Sequence, residues 1–146
     1  MADWQDLLVT DLADVRDILT ESRRVVVLGI KPESRAGQPS HDVPRYLQAR
    51  GYEMIPAPTY YPEITEILGQ PVVRDITTIE APVDVVDVFR RAEDIDAHVD
   101  DLIALRPRVV WFQLGIRNDA AAERLARAGI RVVQDRCMLA DHKALL

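Results

Sequence analysis

Cysteine is nearly missing from this chain: Cys137 stands alone among 146 residues, which excludes an internal disulfide. Three dispersed histidines, His41, His98 and His142, form no HxxxH or HExxH pair, and no CxxC occurs. A metal site would have to be assembled from distant carboxylates, and none is expected. No apolar run is long enough to cross a bilayer, and the first residues carry no signal-peptide pattern. The expected location is cytoplasmic, with no membrane partner. Basic charge is short as well: 18 Lys and Arg stand against 24 Asp and Glu, the net charge is -6, and no basic run exceeds two residues. Counterion release from a nucleic acid needs a basic face, so that class of partner is excluded. The common phosphate motifs are absent too. Gly29 is followed by Ile30, Lys31, Pro32, Glu33 and Ser34, which breaks G-x-G-x-x-G, and no G-x-x-x-x-G-K-[ST] exists.

What is present is an alternation of strands and helices. A chain of this length buries roughly 68–70% of its unfolded surface without staples, so residues 1–146 are read as one domain. Residues 4–20 repeat Trp4, Leu7, Leu8, Leu12, Val15, Ile18 and Leu19 at helical steps, and residues 1–22 are taken as an N-terminal helix. Strands are expected at 25–29, 52–56, 83–89, 108–112 and 130–133, with a minor one at 71–73. Helices are expected at 40–50, 93–106 and 118–129, a helical turn or two at 63–68, and a C-terminal tail at 134–146 with a helical fragment. Ser40 is the expected N-cap of the second helix and Asn118 that of the fourth. The pattern implies an α/β fold with a mostly parallel sheet and helices on both faces. Its direction switches between the strands at 25–29 and 83–89, which is where such sheets bind ligands.

The cations lie at that end. Lys31, Arg35, Arg90, Arg91, Arg117 and Arg136 all follow expected strands, in a chain with two lysines and sixteen arginines. A helix terminus offers an anion about 0.3–1 kcal/mol, whereas one charge pair near a surface is gross about 4 kcal/mol at 4 Å. These side chains should therefore decide the affinity for a phosphate-bearing ligand. Gly29, Ile30, Lys31, Ser34, Arg35 and Ser40 form one expected wall, and Phe89, Arg90 and Arg91 the other. Arg90 and Arg91 both have the alternative of pairing with Glu93 and Asp94 on the surface, and contact with the ligand is favoured for Arg90. Gln113, Leu114 and Gly115 shape the crevice, and His41 could reach a phosphate. Tyr60 and Tyr61 either stack on a ligand ring or cover the edge of the core.

The pieces Val25–Gly29, Pro39-Ser-His41 with Arg45-Tyr-Leu47, Glu66-Ile-Leu-Gly69, Val83–Arg91, Val110–Gly115 and Asp135-Arg-Cys137 together resemble the small standalone coenzyme A-binding proteins. That family is similar in fold to the CoA-binding N-terminal domain of the succinyl-CoA synthetase alpha subunit. The resemblance covers roughly Arg24 to Cys137. It implies a single Rossmann-like, doubly wound domain of five to six strands with an extra N-terminal helix. It also implies coenzyme A or an acyl-CoA as the ligand, with the pyrophosphate near Gly29–Arg35 and Ser40. Pro56, Pro58 and Phe89–Arg91 would then border the adenosine, with Arg136 at the same end of the sheet. The family's usual Asn-Pro pair after the second strand is replaced here by Pro58-Thr59.

No nucleophile, base and oxyanion donor can be named together, so no catalytic residue is assigned and a non-catalytic or regulatory binding protein is expected. An NAD(P)-dependent or acyl-CoA-using enzyme with the same crevice is the alternative, motivated by Asp87 and Cys137. Asp87, in a buried strand, needs a partner, and Arg136 is the expected one. Cys137 is read as packing, with a mixed disulfide to the pantetheine thiol as the minority role. His98 is placed on a solvated helix face. Homo-oligomerisation, or docking of another protein on the N-terminal helix, is left open.

Overall fold

The computed structural model describes residues 3–146. Helix α1 (Leu12–Glu21) leads into β1 (Arg24–Leu28), then α2 (Pro39–Ala49) and β2 (Glu53–Ala57). A small hairpin of β3 (Glu66–Ile67) and β4 (Gln70–Pro71) precedes β5 (Val85–Val88), α3 (Val99–Leu105) and β6 (Val109–Phe112). The chain ends with α4 (Asp119–Arg127), β7 (Arg131–Val133) and α5 (Met138–Leu145). The main sheet has the order β2-β1-β5-β6-β7, and every neighbouring pair in it is parallel.

The strands are β-branched runs buried on both sides, as a covered parallel sheet requires. Their two-residue period divides the core. Val26, Leu28, Val86, Val88, Val110 and Phe112 join α3 and α4 through Val99, Leu102 and Leu125. Val25, Val27, Val85, Trp111 and Val133 pack on the other face with Ile18, Leu19, Leu47 and Met138 from α1, α2 and α5. Each such fully buried side chain contributes about 1.5–3 kcal/mol. The α/β reading and the position of the switch are both confirmed: β1 pairs β2 on one side and β5 on the other.

Three local expectations are corrected. The first helix does not begin at residue 4. Trp4–Leu7 is a 3₁₀ turn, Leu8 and Val9 lie parallel to β7, and Asp11 then caps α1 through its carboxylate and the Ala13 N–H at 2.8 Å. The Val9 N–H donates to the Val132 carbonyl at 2.8 Å, so an edge of the sheet takes these apolar residues out of the helical pattern. The helical turn expected at 63–68 is absent, and residues 66–71 make the hairpin instead. Leu68 (φ 54°) and Gly69 (φ 73°) are both left-handed, the conformation of a tight two-residue hairpin turn. Residues 71–73 therefore do not add a sixth strand to the main sheet, although the Val73 N–H bonds the Pro56 carbonyl at 2.8 Å. Finally, α2 is capped by Gln38, not Ser40, because Pro39 takes the first helical position, where its fixed φ suits the helix and its missing N–H is not needed.

Gly29 is the tightest point of the sheet. Its N–H donates to the Ala57 carbonyl at 2.9 Å, while the Phe89 N–H donates to the Leu28 carbonyl at 2.8 Å, so three strand ends meet there. Gly29 has φ +89°, and a Cβ on it would lie 2.3 Å from the Phe89 carbonyl oxygen. Gly37 has φ +100° but open space around it. Gly37→Ala is expected to cost about 1 kcal/mol for conformation alone, and Gly29→Ala at least about 2 kcal/mol more, since backbone must shift. Urea unfolding of both variants checks this, and equal costs would refute the close approach.

Candidate functional site

Beyond the ends of β1 and β5 the surface opens into a crevice of about 580 Å³. Lys31, Gln38, Pro39 and Ser40 line one side, Phe89 to Glu93 the other, and Gly115 and Ile116 close it from the end of β6. A smaller hollow of about 330 Å³ runs along the outer edge of β2. Its one guanidinium, Arg24, is already bound to Glu53 at 2.5 Å and to the Glu80 carbonyl at 2.8 Å.

The loop after β1 is held by its own hydrogen bonds. The Lys31 N–H donates to the Ser40 carbonyl at 3.1 Å, and the Lys31 carbonyl accepts from His41 Nδ1–H at 3.0 Å. Because a carbonyl can only accept, this contact fixes the proton of His41 on Nδ1. Lys31 Nζ reaches Gln38 Oε1 at 2.6 Å. That partner is neutral, and among the described residues no carboxylate stands within 4.0 Å of the ammonium.

Arg90 faces it from the other wall. Its Nε donates to His98 Nε2 at 3.2 Å, one terminal nitrogen donates to Thr59 Oγ1 at 3.1 Å, and the other is 3.8 Å from Asp94. His98 must accept, so it is neutral. Burial first, and the Arg90 charge second, hold its pKa below the ordinary histidine value. The expectation that His98 lies on a solvated face is thus corrected: it is half-buried and orients Arg90. Arg91, by contrast, points to solvent and pairs with Asp94 at 2.9 Å and Glu93 at 3.5 Å. Those partners, with the Asp94 hydrogen bond the largest cause, raise its pKa.

Of the residues expected to contact ligand, the crevice brings together Lys31, Ser40, Phe89, Arg90, Arg91 and Gly115. The others lie elsewhere. Gly29 forms the floor behind Phe89. Ile30 belongs to the core at 1% exposure, and His41 is buried at the start of α2. Ser34 and Arg35 sit exposed on the 3₁₀ turn Glu33–Arg35, and Leu114 is 69% exposed. Pro56 and Pro58 are buried at and just after β2, and Gln113 is buried beneath the crevice wall. Arg136 is turned to Asp141, which its guanidinium grips with two bonds of 2.6 and 2.8 Å.

The pairing of Asp87 with Arg136 is therefore corrected. Asp87 faces Trp111 across β5 and β6, and Gln113, two residues on, points to the same face. Gln113 Nε2 donates to Asp87 Oδ1 at 2.8 Å. Asp87 is fully buried, and its Oδ2 has no hydrogen-bond partner among the described residues. Burial pushes its pKa up to about 7, against the opposing effect of the Gln113 bond.

Several contributors were not anticipated. Thr59, His98 and Gln38 orient the two cations, and of these only Gln38 carried a sequence signal, standing directly before a Pro at a helix start. Asp135, expected at this end of the sheet but not as a site residue, is left-handed at φ 56° and accepts the Gly115 N–H at 2.6 Å, which fixes the third wall. Tyr60 is 71% exposed and does not cover a core edge. Arg74 pins its loop by donating to the carbonyls of Tyr60 and Tyr61 at 2.7 Å and of Ile64 at 2.9 Å.

Residues 23–143 match a family model described as a CoA binding domain. The chain is 34% identical over 130 residues to the uncharacterised protein YneT of Bacillus subtilis (strain 168), covering 89% of this chain and 93% of that protein. Among solved structures it is similar to a Thermus thermophilus protein designated cell-free ID.343, at 35% identity and a TM-score of 0.84, covering 94% of this chain and all of the other. A hypothetical protein from Pyrococcus horikoshii OT3 matches at 29% identity and a TM-score of 0.82, over 93% of this chain and 92% of that one.

Because Asp87 holds its proton to about pH 7 when folded and releases it near pH 3.8 when unfolded, the folded state binds more protons between those values. Stability contributed by the neutral carboxyl is complete below the unfolded value and is lost as pH rises toward 7. Asp87→Asn, which stays neutral, should match the parent near pH 4 and exceed it increasingly up to about pH 7, above which the gap levels off. Melting temperatures across that range check the sign, and a constant gap would contradict it.

Proposed function

This chain belongs to the CoA binding domain family, and from that membership we propose that it binds coenzyme A or an acyl-CoA in the crevice at the strand ends, as a non-catalytic or regulatory binding protein of the cytoplasm. The observation that carries the reading is the convergence of Lys31 and Arg90 from opposite walls. In a protein of net charge -6, Lys31 is held by an amide and Arg90 mainly by a histidine and a hydroxyl. Both cations are preorganised, and neither is closely matched by a carboxylate. An anion between them gains charge-assisted hydrogen bonds of roughly twice the strength of neutral ones.

A CoA phosphate lodged there would meet Lys31 and the first turn of α2, where Ser40 stands, and Arg90 from β5. The loop after β2 is tied to the same site through the Thr59–Arg90 bond, which supports its bordering the nucleoside. Gly115, held by Asp135, allows close backbone approach on the third side. Proximity to the thioester end would come from the ligand's own length, and the acyl group is left free to vary.

A hydrogen bond to a charged group is worth about 1.5–3 kcal/mol. Lys31→Ala or Arg90→Ala is therefore expected to weaken CoA binding by roughly 10- to 100-fold. Arg124→Ala removes an exposed pair with Asp100 far from the crevice and should change affinity by less than about twofold. Calorimetric titration with CoA, acetyl-CoA and dephospho-CoA makes the comparison. Absence of binding for all three ligands at millimolar concentration refutes the reading, and equal affinities for Arg90→Ala and Arg124→Ala remove Arg90 from the site.

A further inference from the structure

Asp87 is a buried carboxyl that anion binding does not use, and its place in the sheet gives it a role. It lies on β5 two residues before Phe89, on the same side of the strand, and its partner Gln113 lies two residues before Gly115. At about 3.3 Å per residue, the Asp87 backbone lies roughly 7 Å along the chain from Phe89, which lines the crevice. One oxygen is held by Gln113, and the other is unpartnered among the described residues.

Among the described residues no charged side chain forms a hydrogen bond or ion pair with it. Its strand neighbours on that face are Val27 of β1 and Trp111 of β6. The buried residues of α1 are Val15, Ile18 and Leu19. On α2 the one buried titratable group, His41, is bonded to the Lys31 carbonyl. On α5 it is Asp141, matched by Arg136, with half-buried Cys137 just before the helix. Of the crevice cations, Lys31 holds Gln38, Arg90 holds His98 and Thr59 and stands 3.8 Å from Asp94, and Arg91 pairs with Asp94 and Glu93.

We infer that the crevice takes up its polyanionic ligand together with a proton, and that Asp87 Oδ2 receives it from solvent. A phosphate arriving above a buried carboxylate repels it through low-dielectric protein, and protonation at the free oxygen removes that repulsion. Linkage is reciprocal: a ligand that favours the protonated carboxyl binds more tightly to the protein that carries it. The bound protein then holds more protons than the free one, so affinity falls as pH rises, by at most about tenfold per pH unit. Burial already holds the free carboxyl up at about 7, which sets the effect in the neutral range. The inference rests on the CoA reading and extends it to the control of that site.

Calorimetry of CoA binding at pH 7.5 in MOPS and in Tris, whose ionisation enthalpies differ, counts the protons exchanged. The parent should take up a fraction of a proton more than Asp87→Asn, and its affinity should fall several-fold more steeply between pH 6.5 and 8.5. Titration of the CoA phosphates is common to both proteins and cancels in the difference. Equal uptake in the two proteins, with CoA bound by both, overturns the inference while leaving the binding reading intact. No binding by the parent overturns both. The carbon-13 carboxyl resonance of Asp87 in the parent, followed against pH, serves if the variant fails to fold: its midpoint should move upward when CoA is added, and an unmoved midpoint overturns the inference.

Discussion

The approach of the Gly29 backbone to the Phe89 carbonyl is the constraint on which the rest of this architecture depends. Two parallel strands meet there with no side chain between them, and the chain leaves β1 and β5 in opposite directions around the gap. One departure carries Lys31 and the loop that closes onto α2. The other carries Arg90, whose Cδ would be 3.3 Å from a Cβ at Gly29. The crevice is thus a product of sheet topology first and of side-chain chemistry second, as expected at a point where strand order reverses.

Charge is distributed by the same geometry. Most of the arginines around the strand ends are already matched: Arg91 by Asp94 and Glu93, Arg117 by Asp119, Arg136 by Asp141. The two cations that face one another across the crevice are anchored mainly by an amide, an imidazole and a hydroxyl, with only a longer 3.8 Å pair from Arg90 to Asp94. Neutral partners fix a side chain's direction without cancelling its field, so the site remains attractive to an anion while the protein as a whole is acidic. His98 serves this purpose only as long as it is neutral, and its burial favours that form.

Much of this was legible from residue types. The run Val83–Phe89 and the run Val25–Gly29 are too β-branched and too short for anything but buried strands, and Asn118 caps α4 as expected, accepting the Ala121 N–H at 3.0 Å. The cations after β1 and β5 could be named because the α/β pattern fixes which strand ends open onto the crevice. What failed was decided by partners distant in sequence. Leu8 fits a helical stripe, yet the open edge of β7 outweighed it. Ile64, Ile67 and Leu68 suggested a helical turn, but Leu68–Gly69 turned the chain back on itself. Asp87 was matched to a cation on charge alone, whereas the register of β5 and β6 offers it an amide. Thr59 and His98 were invisible as site residues, because only the fold brings them to Arg90.

The lap of Leu8 and Val9 along β7 has a consequence in time as well as space. Leu8 and Val9 are synthesised well before Val132 and acquire their sheet partner only when it has emerged. Until then β7 does not exist, and the early segment is left holding apolar side chains without a place for them. Domains are completed as units during synthesis, and here the last strand of the sheet is the one that lets Leu8 and Val9 settle. Once they have, they cover the outer edge of β7 at Val132, whose carbonyl is then no longer open for a neighbouring molecule to pair with.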